Sequence, residues 1–225
     1  AGLDVRLDGG NLSRGAELAL KRRAGVKNRR RRGPDWGTAV IIQGARGIAN
    51  RVRHGTIGIV ASSGTGIQET ACLLDRAGLG ISNAYGTGGR DFMDEIGGIS
   101  AGTAIMRLAR DERTRIILVI GKTPGGETRK KLASVYASLA KPVIVLYLGA
   151  ADTEMEREAG IECASSLADL AFRAAKRLAP VLETSELTQP ALELPEKPLP
   201  QGFLRGIFSG GALCREAAAI AAPLL

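Results

Sequence analysis

Histidine is nearly absent from this chain: His54 is the single one in 225 residues. That scarcity excludes a Ser-His-Asp set and a cluster of histidine metal ligands within the chain, and no metal site is expected. Aromatic residues are 4% of the total, too few to interleave a basic surface with stacking platforms of the kind single-strand binders use. The three cysteines, Cys72, Cys163 and Cys214, are far apart and odd in number. They predict three small core residues in a reducing, cytoplasmic setting, not a disulfide framework. There is no CxxC pair. No apolar run reaches the roughly 18 residues of a membrane helix, and no cleavable signal is visible. A membrane partner is therefore not expected.

The charge is lopsided. The chain carries a formal +8, yet residues 1–53 hold 13 Lys and Arg against 4 Asp and Glu, and the remainder holds 18 against 19. The basicity belongs to the N-terminal piece, chiefly Arg29, Arg30, Arg31 and Arg32. Four arginines cannot fill a buried strand unpaired, so this run is expected to be solvated and the segment to be out of place or disordered. Nucleic-acid binding is not expected.

What the chain has in excess is glycine, 30 residues gathered in short clusters. From residue 56 onward these clusters punctuate a strand-then-helix rhythm. Strands are predicted at Thr56–Ala61, Ile81–Gly86, Arg115–Gly121, Pro142–Gly149 and Ile161–Ala164. Helices are predicted at Ile67–Ala77, Ile99–Arg110, Gly125–Leu139 and Ser165–Leu178, the last with Asp169 in its first turn. Near-continuous apolar strands alternating with helices imply a parallel sheet covered on both faces. The expected fold is α/β: a flavodoxin-like, doubly wound, five-stranded parallel sheet over residues 55–179, with partial domains at both ends. Residues 1–53 form one of these partial domains. Residues 180–201, with Pro180, Pro190, Pro195, Pro198 and Pro200, are expected to be an extended linker. Residues 202–225 open another domain, with a strand at Phe203–Phe208 and a helix through Ala222.

Four glycine loops stand between a strand and a helix, where backbone amides and the positive helix end suit an anion. The first is Ser62-Ser63-Gly64-Thr65-Gly66; its plainer reading is a tight turn with a hydroxyl cap, and it lacks the ending of a P-loop. The second is Gly86-Thr87-Gly88-Gly89-Arg90-Asp91, where Arg90 offers a guanidinium fork to a carboxylate or phosphate. A surface pair of Arg90 with Asp91 is its plainer reading. The third, Gly121 to Gly126, offers Lys122 as a cation. The fourth is Ser209-Gly210-Gly211. The loops after the sheet strands gather at the carboxyl edge, where such sheets bind ligands. Asp91, Asp94 and Glu95 are candidates for a base or metal ligand, or for a solvated acidic helix start. His54, before the first strand, lies at the opposite edge.

The stretches GTIGIVASSGTGIQE, GTGGRDFMDEIGGISAGTA and KPVIVLYLG, joined by FLRGIFSGGALCREA at 203–217, resemble FdrA-type proteins, relatives of the alpha subunit of succinyl-CoA synthetase. The resemblance runs over 33–179 and resumes at 203. Three departures stand out. The family's phosphoryl-carrying histidine after the fourth strand is missing from LYLGAADTEMEREAG, and Lys122 stands where an acidic partner is expected. Arg29–Arg32 precede Gly33-Pro34-Asp35-Trp36-Gly37-Thr38 where the family has an apolar strand. The resemblance leads one to expect that most of the flanking CoA-binding-like and C-terminal domains are lacking here. The resemblance implies a subunit of an acyl-CoA ligase or of an oxamate carbamoyltransferase in allantoin and purine catabolism. Phosphate, carbamoyl phosphate or coenzyme A would be the ligand, and other subunits or a second copy the partners. The residues suit carbamoyl transfer, with Arg90 and Lys122 as catalytic cations. Ser62, Ser63, Gly64, Thr65, Gly66, Gly88, Gly89, Arg90, Ser209, Gly210 and Gly211 would bind the anion. The alternatives are an NDP-forming acyl-CoA ligase subunit and a non-catalytic truncated scaffold.

Overall fold

The computed structural model describes residues 5–6, 13–26, 31–32, 40–42, 45–150, 153–180 and 205–222. Its centre is five parallel strands: β5 (His54–Ala61), β6 (Ile81–Gly86), β7 (Ile116–Lys122), β8 (Val143–Leu148) and β9 (Glu162–Cys163). They lie in the order β6-β5-β7-β8-β9, and every pairing among them is parallel. This is the doubly wound flavodoxin-like arrangement that the strand-helix rhythm predicts. β7 is buried up to its last residue and β8 throughout, as strands covered on both faces must be.

Two apolar clusters sandwich the sheet. On one face α2 (Gly64–Arg76) and α6 (Leu167–Leu178) pack Ile67, Leu74, Leu170 and Ala174 onto Ile57, Ile59, Leu118 and Ile144. On the other, α3 (Ile99–Arg110) and α4 (Gly126–Ala137) pack Ile105, Leu108, Leu132 and Tyr136 onto Val60, Val119 and Val145. Full burial of each such aliphatic side chain contributes about 1.5–3 kcal/mol. Both α2 and α6 start on a serine: Ser63 Oγ accepts from Gly66 N, and Ser166 Oγ from Asp169 N. At the amino edge β5 and β6 approach so closely that a Cβ on Gly55 would sit 2.5 Å from the Gly80 backbone, which only glycine tolerates.

The sheet extends further than the sequence pattern suggests. β3 (Val40–Ile42) runs antiparallel to β6, pairing Ile41 with Ala84, and β4 (Ala45–Arg46) runs antiparallel to β3. Two- and three-residue strands are too short to show a period, but they cover the backbone edge that β6 would otherwise expose. The N-terminal piece also holds α1 (Arg14–Val26), and β1 (Val5–Arg6) pairs in parallel with β2 (Arg31–Arg32). Arg31 and Arg32 of the arginine run thus pair by their backbone; Arg29 and Arg30 lie outside the described residues. A one-turn helix, α5 (Glu154–Glu158), follows β8, and α7 (Gly211–Ala221) closes the described chain. Residues 205–208 are not a strand, unlike the sequence expectation. Of the proline-rich stretch, 181–201 lies outside the described residues. The cysteines are all free, but they are not three core residues: Cys72 packs half-buried against the core, Cys163 is half-buried on β9 and Cys214 is exposed on α7.

Candidate anion site

Backbone bonds stitch the loops at the carboxyl edge together. Ser62 N donates to Ile120 O at 2.9 Å, tying the first loop to β7. Thr87 N and its hydroxyl both donate to Ala61 O, at 2.8 and 3.3 Å, tying the second loop to the end of β5. Chain leaving β5 turns to one face of the sheet as α2, and chain leaving β7 turns to the other as α4. The split between β5 and β7 is the switch point at which open α/β sheets bind ligands.

The first and fourth loops meet there. A Cβ on Gly210 would lie 2.3 Å from Thr65 Cγ2, and one on Gly66 would lie 3.7 Å from the Ala212 Cβ. The starts of α2 and α7 are therefore in contact. Each helix start carries about half a positive charge, so their contact is unfavourable until something negative sits between them. Ser63 Oγ caps Gly66 N at 3.3 Å and stands 3.1 Å from Thr65 Oγ1, while α7 has no side-chain cap at all. Ser62 is buried, and Ser209 and Gly211 are exposed.

At the third loop the helix start already holds a carboxylate. Asp94 Oδ1 accepts from Thr128 N at 2.8 Å, and a Cβ on Gly125 would strike that same carboxyl at 2.3–2.5 Å. The Thr128 amide, helped by its hydroxyl and the Glu127 and Gly126 amides, holds the Asp94 carboxyl below its ordinary value. The α4 amides are thus occupied by the protein's own anion. Lys122, the last residue of β7, is exposed beside this loop.

The second loop departs most from its sequence reading. Gly88 takes φ 92°, a left-handed conformation suited to glycine. Asp91 is no solvated acid: it is 0% exposed. Its oxygens accept from Ser100 N at 3.1 Å and Ala101 N at 2.8 Å, the first turn of α3, and from Lys21 Nζ at 2.7 Å. Lys21 also reaches Thr87 O at 3.4 Å. Arg90 Nη1 stands 3.8 Å from Glu17 Oε2, and Glu17 Oε1 stands 2.8 Å from Lys21 Nζ. Glu17 and Lys21, both 2% exposed, are site residues that the sequence reading missed. Their spacing of four on one helix face was legible; their partner loop, 70 residues away, was not. Asp91, Asp94 and Glu95 do not converge, and among the described residues no three of His, Cys, Asp and Glu gather to hold a metal ion.

After β8, in the segment without a histidine, Glu156 is buried and accepts two hydrogen bonds from Arg129, through Nε at 2.7 Å and Nη2 at 2.5 Å. Beside it the hydroxyls of Tyr136 and Tyr147 meet at 3.2 Å, and burial pushes both phenols up, so they stay protonated. His54 is exposed at the amino end of β5, away from the loops.

These loops sit on a fold shared with CoA ligases. A structure of ATP citrate lyase from Methanothrix soehngenii in complex with citrate and coenzyme A matches 91% of the chain and 40% of its own, with TM-score 0.65 and 17% identity. The dinucleotide-forming acetyl-coenzyme A synthetase 1 of Ca. Korarchaeum cryptofilum, in complex with phosphate and ADP, covers 73% of the chain and 41% of its own at TM-score 0.54 and 17% identity. In sequence, the chain is 38% identical to the uncharacterized protein YahF of Escherichia coli K12 over 220 residues, 95% of this chain. It is homologous to the alpha subunit of succinate–CoA ligase: the Methanothermobacter thermautotrophicus subunit is 36% identical over 97 residues, 43% of this chain. The chain spans 42% of the length of YahF and 31% of that subunit. No family model matches. No helix among the described residues is long and apolar enough to cross a membrane.

Proposed function

We propose that this chain is an anion-binding subunit of an FdrA-type, succinyl-CoA-synthetase-like assembly, working in carbamoyl transfer between oxalurate or oxamate and phosphate. The observation that carries this reading is the contact between the starts of α2 and α7, with Thr65 against Gly210. Two like-poled helix ends held together form a cradle for a phosphate dianion. Ser62, Ser63, Gly64, Thr65 and Gly66 from one side, and Ser209, Gly210 and Gly211 from the other, would hold it. Gly88, Gly89 and Arg90 would take the carboxylate of the second substrate, and Lys122 would balance developing charge.

In the reaction a phosphate oxygen attacks the carbamoyl carbon of oxalurate. The C–N bond breaks, and the oxamate nitrogen takes a proton as carbamoyl phosphate forms. That chemistry needs positioning and anion stabilisation, not a covalent nucleophile, which accords with a carboxyl edge without histidine. Other subunits or a second copy would complete the assembly, in the cytoplasm.

The homology to succinate–CoA ligase favours a second reading, a subunit of an acyl-CoA ligase whose phosphoryl-accepting histidine comes from a partner. Thermal unfolding against carbamoyl phosphate, inorganic phosphate, oxamate, ADP and coenzyme A separates the two. A ligand at 100 times its dissociation constant adds about 2.7 kcal/mol. Stabilisation by carbamoyl phosphate or phosphate without coenzyme A is expected. Stabilisation by coenzyme A, or a labelled phosphoenzyme in the complex, favours the ligase. No shift with any ligand overturns the anion-site reading for the isolated chain.

A further inference from the structure

We propose that the outer edge of β9, backed by the cationic face of α6, docks an extended acidic segment of a partner protein chain. This surface uses none of the glycine-loop residues and does not depend on the anion-site reading.

Between α6 and the turn from α5 into β9 lies a cavity of about 750 Å³. Beyond residue 53 the chain holds 18 cations against 19 acids. Four of those cations, Arg157, Arg173, Lys176 and Arg177, line this one cavity, against the two acids Glu162 and Asp169. Both acids are already engaged. Glu162 accepts from Arg173 Nη1 at 3.4 Å and from Arg177 Nε at 2.8 Å. Asp169 accepts from Arg173 Nε and from the Ser165 amide, each at 2.8 Å. Arg157 and Lys176 are exposed and form no ion pair among the described residues. Phe172, on the same stripe of α6 as Arg173 and Lys176, adds an apolar wall. Beside the cavity the sheet stops short. β9 is its last strand, and β8 is the partner of β9 among the described residues. Ala164 N donates to Val145 O at 2.8 Å, back into the sheet. Backbone groups alternate sides along a strand, so the N–H and C=O of Cys163 turn outward, where no backbone group among the described residues meets them. Glu162, one residue earlier, sends its side chain over the face that α6 covers, to Arg173 and Arg177. A segment paired along β9 sends every second side chain over that same face, into the cavity that Arg157 and Lys176 line. An acidic segment satisfies the outward backbone and the two cations together. A free anion leaves the Cys163 backbone unpaired, a neutral strand leaves the cations unmatched, and a basic strand is repelled.

The test is fluorescence anisotropy on the full chain with a short labelled peptide that alternates Glu with Val. Its controls are the isomer with all glutamates in one block, two analogues methylated on one or the other alternate set of backbone nitrogens, and tripolyphosphate. The alternating peptide is expected to bind more tightly than the block isomer, and at least one methylated analogue to lose that binding. Arg157→Glu with Lys176→Glu is expected to weaken the peptide about tenfold, the size of two exposed ion pairs. No binding of the alternating peptide overturns the inference, and so does binding that the double variant leaves unchanged. Equal binding of the block isomer, or of both methylated analogues, overturns it in favour of a patch that reads charge alone. Binding of tripolyphosphate without the peptide overturns it in favour of a small-anion site. Should the double variant not fold, hydrogen exchange in the wild type decides. The Cys163 amide must exchange about tenfold more slowly with saturating peptide, as a newly paired edge amide does, and an unchanged rate refutes the docking.

Discussion

The carboxylate of Asp94 accepts a hydrogen bond from the backbone amide of Thr128, 34 residues further along the chain, at 2.8 Å. A residue on the loop after β6 therefore caps the helix after β7. This contact explains why one of the glycine loops differs from the rest: its helix start is already neutralised.

Asp94 is exposed and its carboxyl is held below the ordinary value of 3.8 by the Thr128 amide. A depressed carboxyl contributes stability that is present above its unfolded value and is lost as pH falls through the folded one. Asp94→Asn should lower stability at neutral pH and flatten the acid limb of the stability curve, converging on the wild type at low pH, where the Asp94 carboxyl is protonated. Asp94→Ala should lower the melting temperature at neutral pH as well. Denaturant titrations between pH 2 and 7 would show both; a Asp94→Asn curve parallel to the wild type would refute the cap.

Gly210 and Gly211 make an internal control. An added Cβ at 210 meets Thr65 at 2.3 Å, whereas one at 211 meets nothing within 4 Å. Gly210 has φ −176°, which any residue adopts, so only the contact is at stake. Gly210→Ala should cost about 1–3 kcal/mol by forcing the two helix starts apart. Gly211→Ala should be neutral or stabilise by about 0.5 kcal/mol. Phosphate-induced stabilisation should fall in the first variant and persist in the second.

Gly121 has a similar neighbour. Its added Cβ would lie 2.3 Å from Phe92 Cε2, a ring that is fully buried and cannot swing away. Gly121→Ala should lose about 1–3 kcal/mol. Gly121→Ala with Phe92→Leu should recover part of that, and a purely additive pair in chemical denaturation would show that the ring is not the obstacle.

The Arg129–Glu156 pair anchors the segment after β8. Glu156 is 0% exposed and the Arg129 side chain 14%, so Glu156→Ala removes the two-pronged carboxylate partner of a largely buried guanidinium and should cost about 3–5 kcal/mol. Arg129→Met with Glu156→Leu should be much milder than either single change, since no uncompensated charge remains. A double variant as unstable as the sum of the singles would mean that the pair contributes more than relief of buried charge.

The amino-acid sequence alone determined the parallel sheet. Runs such as Ile116–Ile120 and Val143–Leu148 are apolar at every position because helices cover both faces, a constraint that leaves its mark locally. It likewise placed Ser63 and Asp169 at helix starts, since caps act within three residues. Tertiary structure alone decided which glycine loops stay open. Asp94 fills α4 from another loop, Gly210 meets Thr65 across the segment 66–209, and Lys21 neutralises Asp91 from 70 residues away. It also decided the antiparallel edge, because Val40–Ile42 is too short to carry a period. The dividing line is sequence distance: burial and capping are written in neighbours, whereas the pairing of charges across a fold depends on where the chain returns.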